Sequence, residues 1–237
     1  VRLLVVIPAY NEEKGIGTVI EGIGREVPEA QILVVDDGSA DRTADRAREA
    51  GAAVARHPFN LGYGAALQTG YRYATRKGYD LLVQMDGDGQ HDPASIGRLL
   101  EPIRLGKADV AIGSRFLAAD GREISGGHYK VPLARRIGIG LFRSITALII
   151  GQRVTDPTSG FQAMQKAVFG LFTGEAFPAD YPDADVIIML HRSGFRIVEV
   201  PVRMFENAER KSMHSGFKPL YYIFKMFLSI FVTLMRR

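Results

Sequence analysis

The chain contains no cysteine. That excludes a disulfide framework and any thiolate-bound metal, and it fits a reducing compartment. The histidines show no metal-ligand spacing. His91 lies beside an acidic turn and is the one near candidate chemistry; His57, His128, His191 and His214 read as structural or solvated. No serine is set with a histidine partner as a nucleophile. No apolar run has the length of a clean membrane span, and VRLLVVIPAY opens as a strand, not as a signal peptide. Internal repeats and low-complexity tracts are absent. What is present is 237 residues of ordinary glycine and charge content, enough for one sizeable core, or one core plus a small appendage. Charge is uneven. The first hundred residues are nearly balanced, whereas bases dominate from Lys130 onward, which suggests an anionic partner on that side.

Strand and helix signals alternate through the first hundred residues. LLVVIP, ILVVDD, AAVARH, YDLLVQM and ADVAIGS read as strands. Helical spacing falls at Asn11 to Gly24, Asp41 to Ala50, Ala65 to Lys77 and Pro93 to Leu105. Continuous apolar strands in this rhythm predict an α/β fold, a mostly parallel sheet with helices on both faces. The second half is less regular. It offers a glycine-containing loop at 120–130, an apolar helix from Ile137 to Ile150, a polar turn Thr155-Asp156-Pro157-Thr158-Ser159-Gly160-Phe161, a strand RIVEVPVRM and a polar, mobile stretch at 206–216. The chain closes with LYYIFKMFLSIFVTLMRR.

Ligands of such sheets bind beyond the carboxyl ends of strands. Three strand ends here carry polar clusters, which should converge on one edge: Pro8-Ala9-Tyr10-Asn11-Glu12, Asp36-Asp37-Gly38-Ser39 and Asp86-Gly87-Asp88-Gly89-Gln90. Two carboxylates on a glycine-rich turn suit a divalent cation held against nucleotide phosphates; a solvated acidic turn is the plainer reading. Tyr10 offers a flat aromatic surface and Glu12 an acceptor for a base or ribose, while Asn11 capping the next helix with Glu12 in its first turn would also explain them. Two acids at that helix start argue against a dinucleotide-binding enzyme, whose pyrophosphate they would repel. Asp37 could accept from a base N–H while Asp36 caps a turn, or both could cap. Asn60-Leu61-Gly62-Tyr63-Gly64 reads as a loop that passes close to nucleotide or packs tightly.

Taken in order, strand-PAYNEE, strand-VVDDGS, Asn-x-Gly-x-Gly, strand-MDGDGQHDP, IGSR, DPTSGFQA and EVPV resemble family-2 glycosyltransferases of the GT-A fold, within them the polyprenyl-phosphate (dolichyl-phosphate-mannose-synthase-like) group. The resemblance spans roughly residues 3 to 216, the expected catalytic domain 1–216, followed by a membrane-associating helix at 217–237. It implies inverting transfer of a sugar from a nucleotide diphosphate (UDP- or GDP-) sugar to a polyprenyl phosphate, dolichyl or undecaprenyl. By that resemblance Pro8, Tyr10, Glu12, Val35 and Asp37 hold the nucleoside. Asp86, Asp88 and Gln90 form the metal and diphosphate site, with Mg²⁺ or Mn²⁺ as the ion suited to hard oxygen ligands. Arg115 and Arg135 face the acceptor phosphate, with Arg136 able to replace Arg135, and Arg210 approaches the donor diphosphate. Surface salt bridges would explain each arginine singly. Asp183 or Asp185 stands where related sequences usually carry glutamate.

A lipid phosphate is already anionic, so it needs no general base, and Asp86 is expected to position, not to take a proton. In the tail the clearly polar residues between Tyr221 and Met235 are Lys225, Ser229 and Thr233, spaced four apart on one stripe. Such a helix could lie in the membrane interface, at the cytoplasmic face, with Ile137 to Ile150 beside it; packing on the core, on a small membrane-protein partner or on a second copy is the other reading. No nucleic-acid partner is expected. Two rival functions stay open: transfer to a saccharide or protein hydroxyl, with Asp185 as base, and a non-catalytic nucleotide-sugar-binding subunit.

Overall fold

A computed structural model describes residues 1–124, 133–175, 177–178, 182–205 and 218–235. In the two long helices of the second half it describes side chains from 140 onward and, in the last, those of 225 and from 227 onward. Strand β1 (Leu3–Ala9) is buried along its whole length. Its side chains alternate: Leu4 and Val6 enter one core, Leu3, Val5, Ile7 and Ala9 the other. A strand apolar at every position is what a sheet covered on both faces requires.

The remaining strands are β2 (Gln31–Asp36), β3 (Ala53–Arg56), β4 (Leu81–Gln84), β5 (Val110–Ser114), β6 (Gln162–Gln165) and β7 (Ile197–Pro201). They form one sheet in the order β3-β2-β1-β4-β6-β5-β7. All pairings are parallel except those of β6, which runs against both β4 and β5. After β1 the chain builds outward to β2 and β3, then returns to place β4 on the other side of β1. The strand order therefore reverses between β1 and β4, where an open α/β sheet leaves its ligand crevice.

Helices α1 (Ile16–Glu26), α2 (Thr43–Glu49) and α4 (Ile96–Arg104) share the core of one face. Helices α3 (Tyr63–Lys77), α5 (Leu133–Ile150), α6 (Lys166–Leu171) and α7 (Ala184–Arg192) share that of the other, where α8 (Lys218–Met235) adds Ile230.

The structure corrects several expectations. Helix α1 starts at Ile16, not at Asn11. Asn11 has φ of 56° and does not cap it; its Oδ1 accepts from the Ala40 N–H, 3.0 Å. Helix α5 starts at Leu133, so Arg135 and Arg136 belong to its first turn. Strand β6 had no apolar signal because two of its four residues are glutamines. Both have buried partners: Gln162 Nε2 donates to the Ser159 carbonyl and Gln165 Nε2 to Asp109 Oδ1. Residues 125–130 of the expected 120–130 loop, the stretch 206–216 and Arg210 lie outside the described residues.

Candidate active site

The ends of β1 and β2 lie side by side, Ala9 opposite Asp36, and their loops are laced together. Ser39 Oγ accepts from the Asn11 N–H (2.9 Å), Thr43 Oγ1 from Glu12 N–H (2.8 Å) and Asp41 Oδ2 from Glu13 N–H (3.2 Å). The exchange is returned by Ala40 and Arg42 N–H, bonded to Asn11 Oδ1 and Glu13 Oε2. Each bond satisfies a backbone donor that neither strand nor helix provides for. Tyr10 stands over this edge, 45% exposed. Glu12 is partly buried beside it and Pro8 is buried. Val35 differs from expectation: its side chain is fully buried in the α3-side core, because strand alternation sends it inward.

Asp36 and Asp37 divide their work. Asp36 Oδ1 caps the turn by accepting from the Ser39 N–H, with Arg56 Nε 3.0 Å from its Oδ2. Asp37 is buried. Its Oδ1 accepts from the Leu61 N–H (2.9 Å) and pairs with His57 Nδ1 (2.7 Å); its Oδ2 accepts from the Gly62 N–H (2.9 Å). Gly38, at φ of 71°, leaves no room for a Cβ, which would stand 2.5 Å from the Phe59 carbonyl carbon. The second strand end therefore grips the Asn60–Gly64 loop.

The acidic turn follows β4. Asp86 is partly exposed, its Oδ1 accepting from the Tyr63 hydroxyl at 2.8 Å. Its backbone N–H donates to His91 Nδ1, 3.1 Å, so the ring proton sits on Nε2. His91 is buried and stacked on Phe161 with centroids 4.8 Å apart. Burial, joined by the nearby Arg115 charge and opposed by Asp88 and Asp156, holds its pKa down at about 4. It is a neutral prop under the turn. Asp88 Oδ1 accepts from the Gln90 N–H, 3.0 Å, and the Gln90 carbonyl accepts from Phe205 N–H, 2.7 Å. Gly87 packs against Ile7 and Ile16, where a Cβ would be 3.3 Å from each.

Among the described residues no three His, Asp or Glu side chains gather as a metal cage. Two carboxylates on one turn still fit a Mg²⁺-type ion, which draws its other ligands from water and phosphate oxygens.

Arg115 follows β5 and is 3% exposed. Its Nε lies 2.6 Å from Oδ2 of the fully buried Asp156. Asp156 belongs to the 155–160 turn, whose Thr155 and Asp156 N–H groups donate to Glu199 of β7. Arg115 is thus neither a surface ion pair nor an exposed phosphate ligand here; it ties the end of β5 to the 155–160 turn, which Glu199 of β7 holds in turn. Asp185 is 1% exposed and holds the Asp183 N–H, the Val186 N–H and the Ser229 hydroxyl. Burial raises its pKa. Its visible task is to tether α8 to α7.

The sequence profile of glycosyl transferase family 2 matches residues 4–171. The chain is a family-2 glycosyltransferase. This glycosyltransferase is 33% identical over 222 residues to the undecaprenyl-phosphate mannosyltransferase of Micrococcus luteus, covering 91% of this chain and 88% of that one. To the polyprenol monophosphomannose synthase of Mycolicibacterium smegmatis it is 32% identical over 224 residues, 91% and 82% of the two chains. The crystal structure of glucosyl-3-phosphoglycerate synthase from Mycobacterium tuberculosis in complex with Mn²⁺ and UDP-glucose shares its fold, with a TM-score of 0.68 at 23% identity over 97% of this chain and 79% of that one. The GT-A type of α/β sheet and the hexosyltransferase class expected from the motifs both hold.

Of the residues expected at the glycosyltransferase site, Pro8, Tyr10, Glu12, Asp37, Asp86, Asp88 and Gln90 come together at the ends of β1, β2 and β4. Tyr63, Asp156, Gly160 and Glu199 were missed as partners in it. Tyr63 and Asp156 stand inside motifs the sequence does display, but nothing in those motifs names their partners.

Proposed function

We propose that this glycosyltransferase moves a sugar from a UDP- or GDP-sugar to a polyprenyl phosphate at a membrane surface, with inversion at the anomeric carbon. The donor half follows from its family and from the edge where Asp37, Asp86 and Asp88 meet. Similarity to two enzymes named for polyprenyl-phosphate mannosyl chemistry supports the acceptor.

The observation that carries the membrane setting is the way α8 is turned. Its hydroxyl stripe faces the protein: Ser229 bonds Asp185 and Ile230 is buried. Arg192 Nη1 donates to the Thr233 and Leu234 carbonyls, both 2.9 Å, and closes the helix end. Outward stand Phe227, Leu228, Phe231, Leu234 and Met235, each more than 40% exposed. Helix α5 lies alongside, Phe142 packed near Phe227 at 6.0 Å, with Leu148 85% exposed. Among the described residues no helix is long and apolar enough to cross a membrane. An apolar face of this kind suits the headgroup–acyl boundary, where a polyprenyl phosphate presents its charge.

In this reading Tyr10 stacks on the base, Glu12 and Asp37 orient the nucleoside, and Asp86, Asp88 and Gln90 hold the diphosphate end. Mg²⁺ or Mn²⁺ bound by these oxygens would neutralise the departing nucleotide diphosphate. Arg135 and Arg136, from the first turn of α5, receive the acceptor phosphate and hold it in line with the anomeric carbon; Arg210 belongs to the same basic half. The phosphate attacks without a general base, which agrees with Asp185 being already engaged.

The test uses the purified chain with Mg²⁺ or Mn²⁺, a panel of nucleotide sugars and polyprenyl phosphate in vesicles. Lipid-linked sugar that forms with wild type and disappears with Asp88→Ala is the expected result. Transfer to soluble saccharides alone, or no transfer with any donor, overturns the proposal.

A further inference from the structure

We infer that Tyr63 is a positioning residue for the acidic turn, the middle of a polar strut joining the nucleoside end of the site to its metal end. The inference rests on the functional reading above and deepens it. The strut begins at Asp37. Its two carboxylate oxygens take the Leu61 and Gly62 N–H groups, both at 2.9 Å, and so fix the residues that open α3. Gly62, at φ of 101°, makes the bend that no side-chain-bearing residue enters cheaply. Tyr63 follows at once as the first residue of α3.

From there its hydroxyl crosses to β4. It donates to Asp86 Oδ1 at 2.8 Å and accepts from Gln84 Nε2 at 3.3 Å. Gln84 is held in turn by the hydroxyl of buried Tyr71. Each phenol and amide therefore has a fixed direction, and the chain of donors ends on one carboxylate oxygen. Burial, then the neighbouring Asp86, keep the Tyr63 phenol protonated, its pKa well above the usual value.

Gly160 closes the strut from the far side. A Cβ there would stand 2.8 Å from the Tyr63 hydroxyl and 3.2 and 3.3 Å from the two Asp86 oxygens. The 155–160 turn is thus fitted against the Tyr63–Asp86 bond. With one oxygen committed to Tyr63, Asp86 offers a cation a single preset orientation. That orientation depends on a loop which Asp37 holds from the nucleoside side.

Tyr63→Phe removes the hydroxyl and keeps the ring. With UDP or GDP present, Mn²⁺ affinity measured by electron paramagnetic resonance should fall roughly tenfold to hundredfold, the scale of a hydrogen bond to a charged group, with the melting temperature little changed. In an Asp86→Asn background the same change should add less than about twofold. If Tyr63→Phe is poorly folded, Gly160→Ala reads the same contact and should weaken Mn²⁺ binding in the same direction. Unchanged Mn²⁺ affinity in both Tyr63→Phe and Gly160→Ala, or an equal loss with and without Asp86, overturns the strut while the glycosyltransferase reading stands. Failure of the wild type to hold Mn²⁺ with either nucleotide overturns the metal site proposed at the acidic turn, and the strut with it.

Discussion

Helices α1 and α8 are both amphipathic, and they are turned opposite ways. Helix α1 buries Ile16, Val19, Ile20 and Ile23 against the sheet and shows Thr18, Glu21, Arg25 and Glu26 to water. Helix α8 lays Ser229 and Ile230 on the protein and shows Phe227, Leu228, Phe231 and Leu234 outward. Periodicity says that a helix has two faces; it does not say which medium each face meets. For α1 the sheet decides. For α8 a carboxylate beneath it decides, since Asp185 gives a hydroxyl stripe somewhere to bind. The contrast extends to the regions around them. The strand ends beside α1 are polar groups satisfied by one another, while the surface around α8 has its apolar side unspent.

That contrast can be broken from either side. On the polar side, Arg115→Ala strands Asp156 as a buried charge close to Glu199. Denaturant unfolding should show a loss of about 3–5 kcal/mol; a change under about 1 kcal/mol would mean that the strand ends are not held by their internal pairs. Asp88→Ala should lower transfer about a hundred- to thousandfold, the scale of removing one charge-stabilising group, by a similar factor whether the acceptor is presented in vesicles or in detergent.

Acid should loosen the same edge. Folded His91 titrates at about 4 against a usual 6.5. Between those values the unfolded chain binds the extra proton, so stability rises with pH through the window and falls on acidification. The full effect is on the order of 3 kcal/mol. Between pH 7 and pH 4.5 the melting temperature should fall less in His91→Gln than in wild type.

The smallest effect belongs to α8. Phe231→Glu should leave stability in water within about 0.5 kcal/mol and reduce binding to anionic vesicles roughly tenfold. Equal vesicle binding by the two proteins would place the membrane contact elsewhere.

The order of strands and helices through Ser114 was legible because each strand there is an apolar run between glycine or polar punctuation. So was the meeting of three polar strand ends, since parallel neighbours end on one edge. Strand β6 was not legible: Gln162-Ala163-Met164-Gln165 hides its role in hydrogen bonds that only tertiary structure supplies. The arginines divided similarly. IGSR marks Arg115 in the sequence, yet its partner Asp156 is forty-one residues away, and such a distance leaves no trace in local spacing. Tyr63 and Gly160 were visible as motif members, but their contact with Asp86 follows from close approach of three segments, a property of packing.

The reversal of β6 has one more consequence. Because it runs against its neighbours, the turn that enters it arrives at the same edge that the parallel strands leave, and Gly160 meets Asp86 there. The crevice therefore has two walls written in separate stretches of the gene. One is complete by the acidic turn after β4; the other begins after β5. In the proposed reading the earlier wall carries the metal end of the donor site and the later one carries Arg135 and Arg136 for the acceptor, and Gly160 is the point at which the two walls touch.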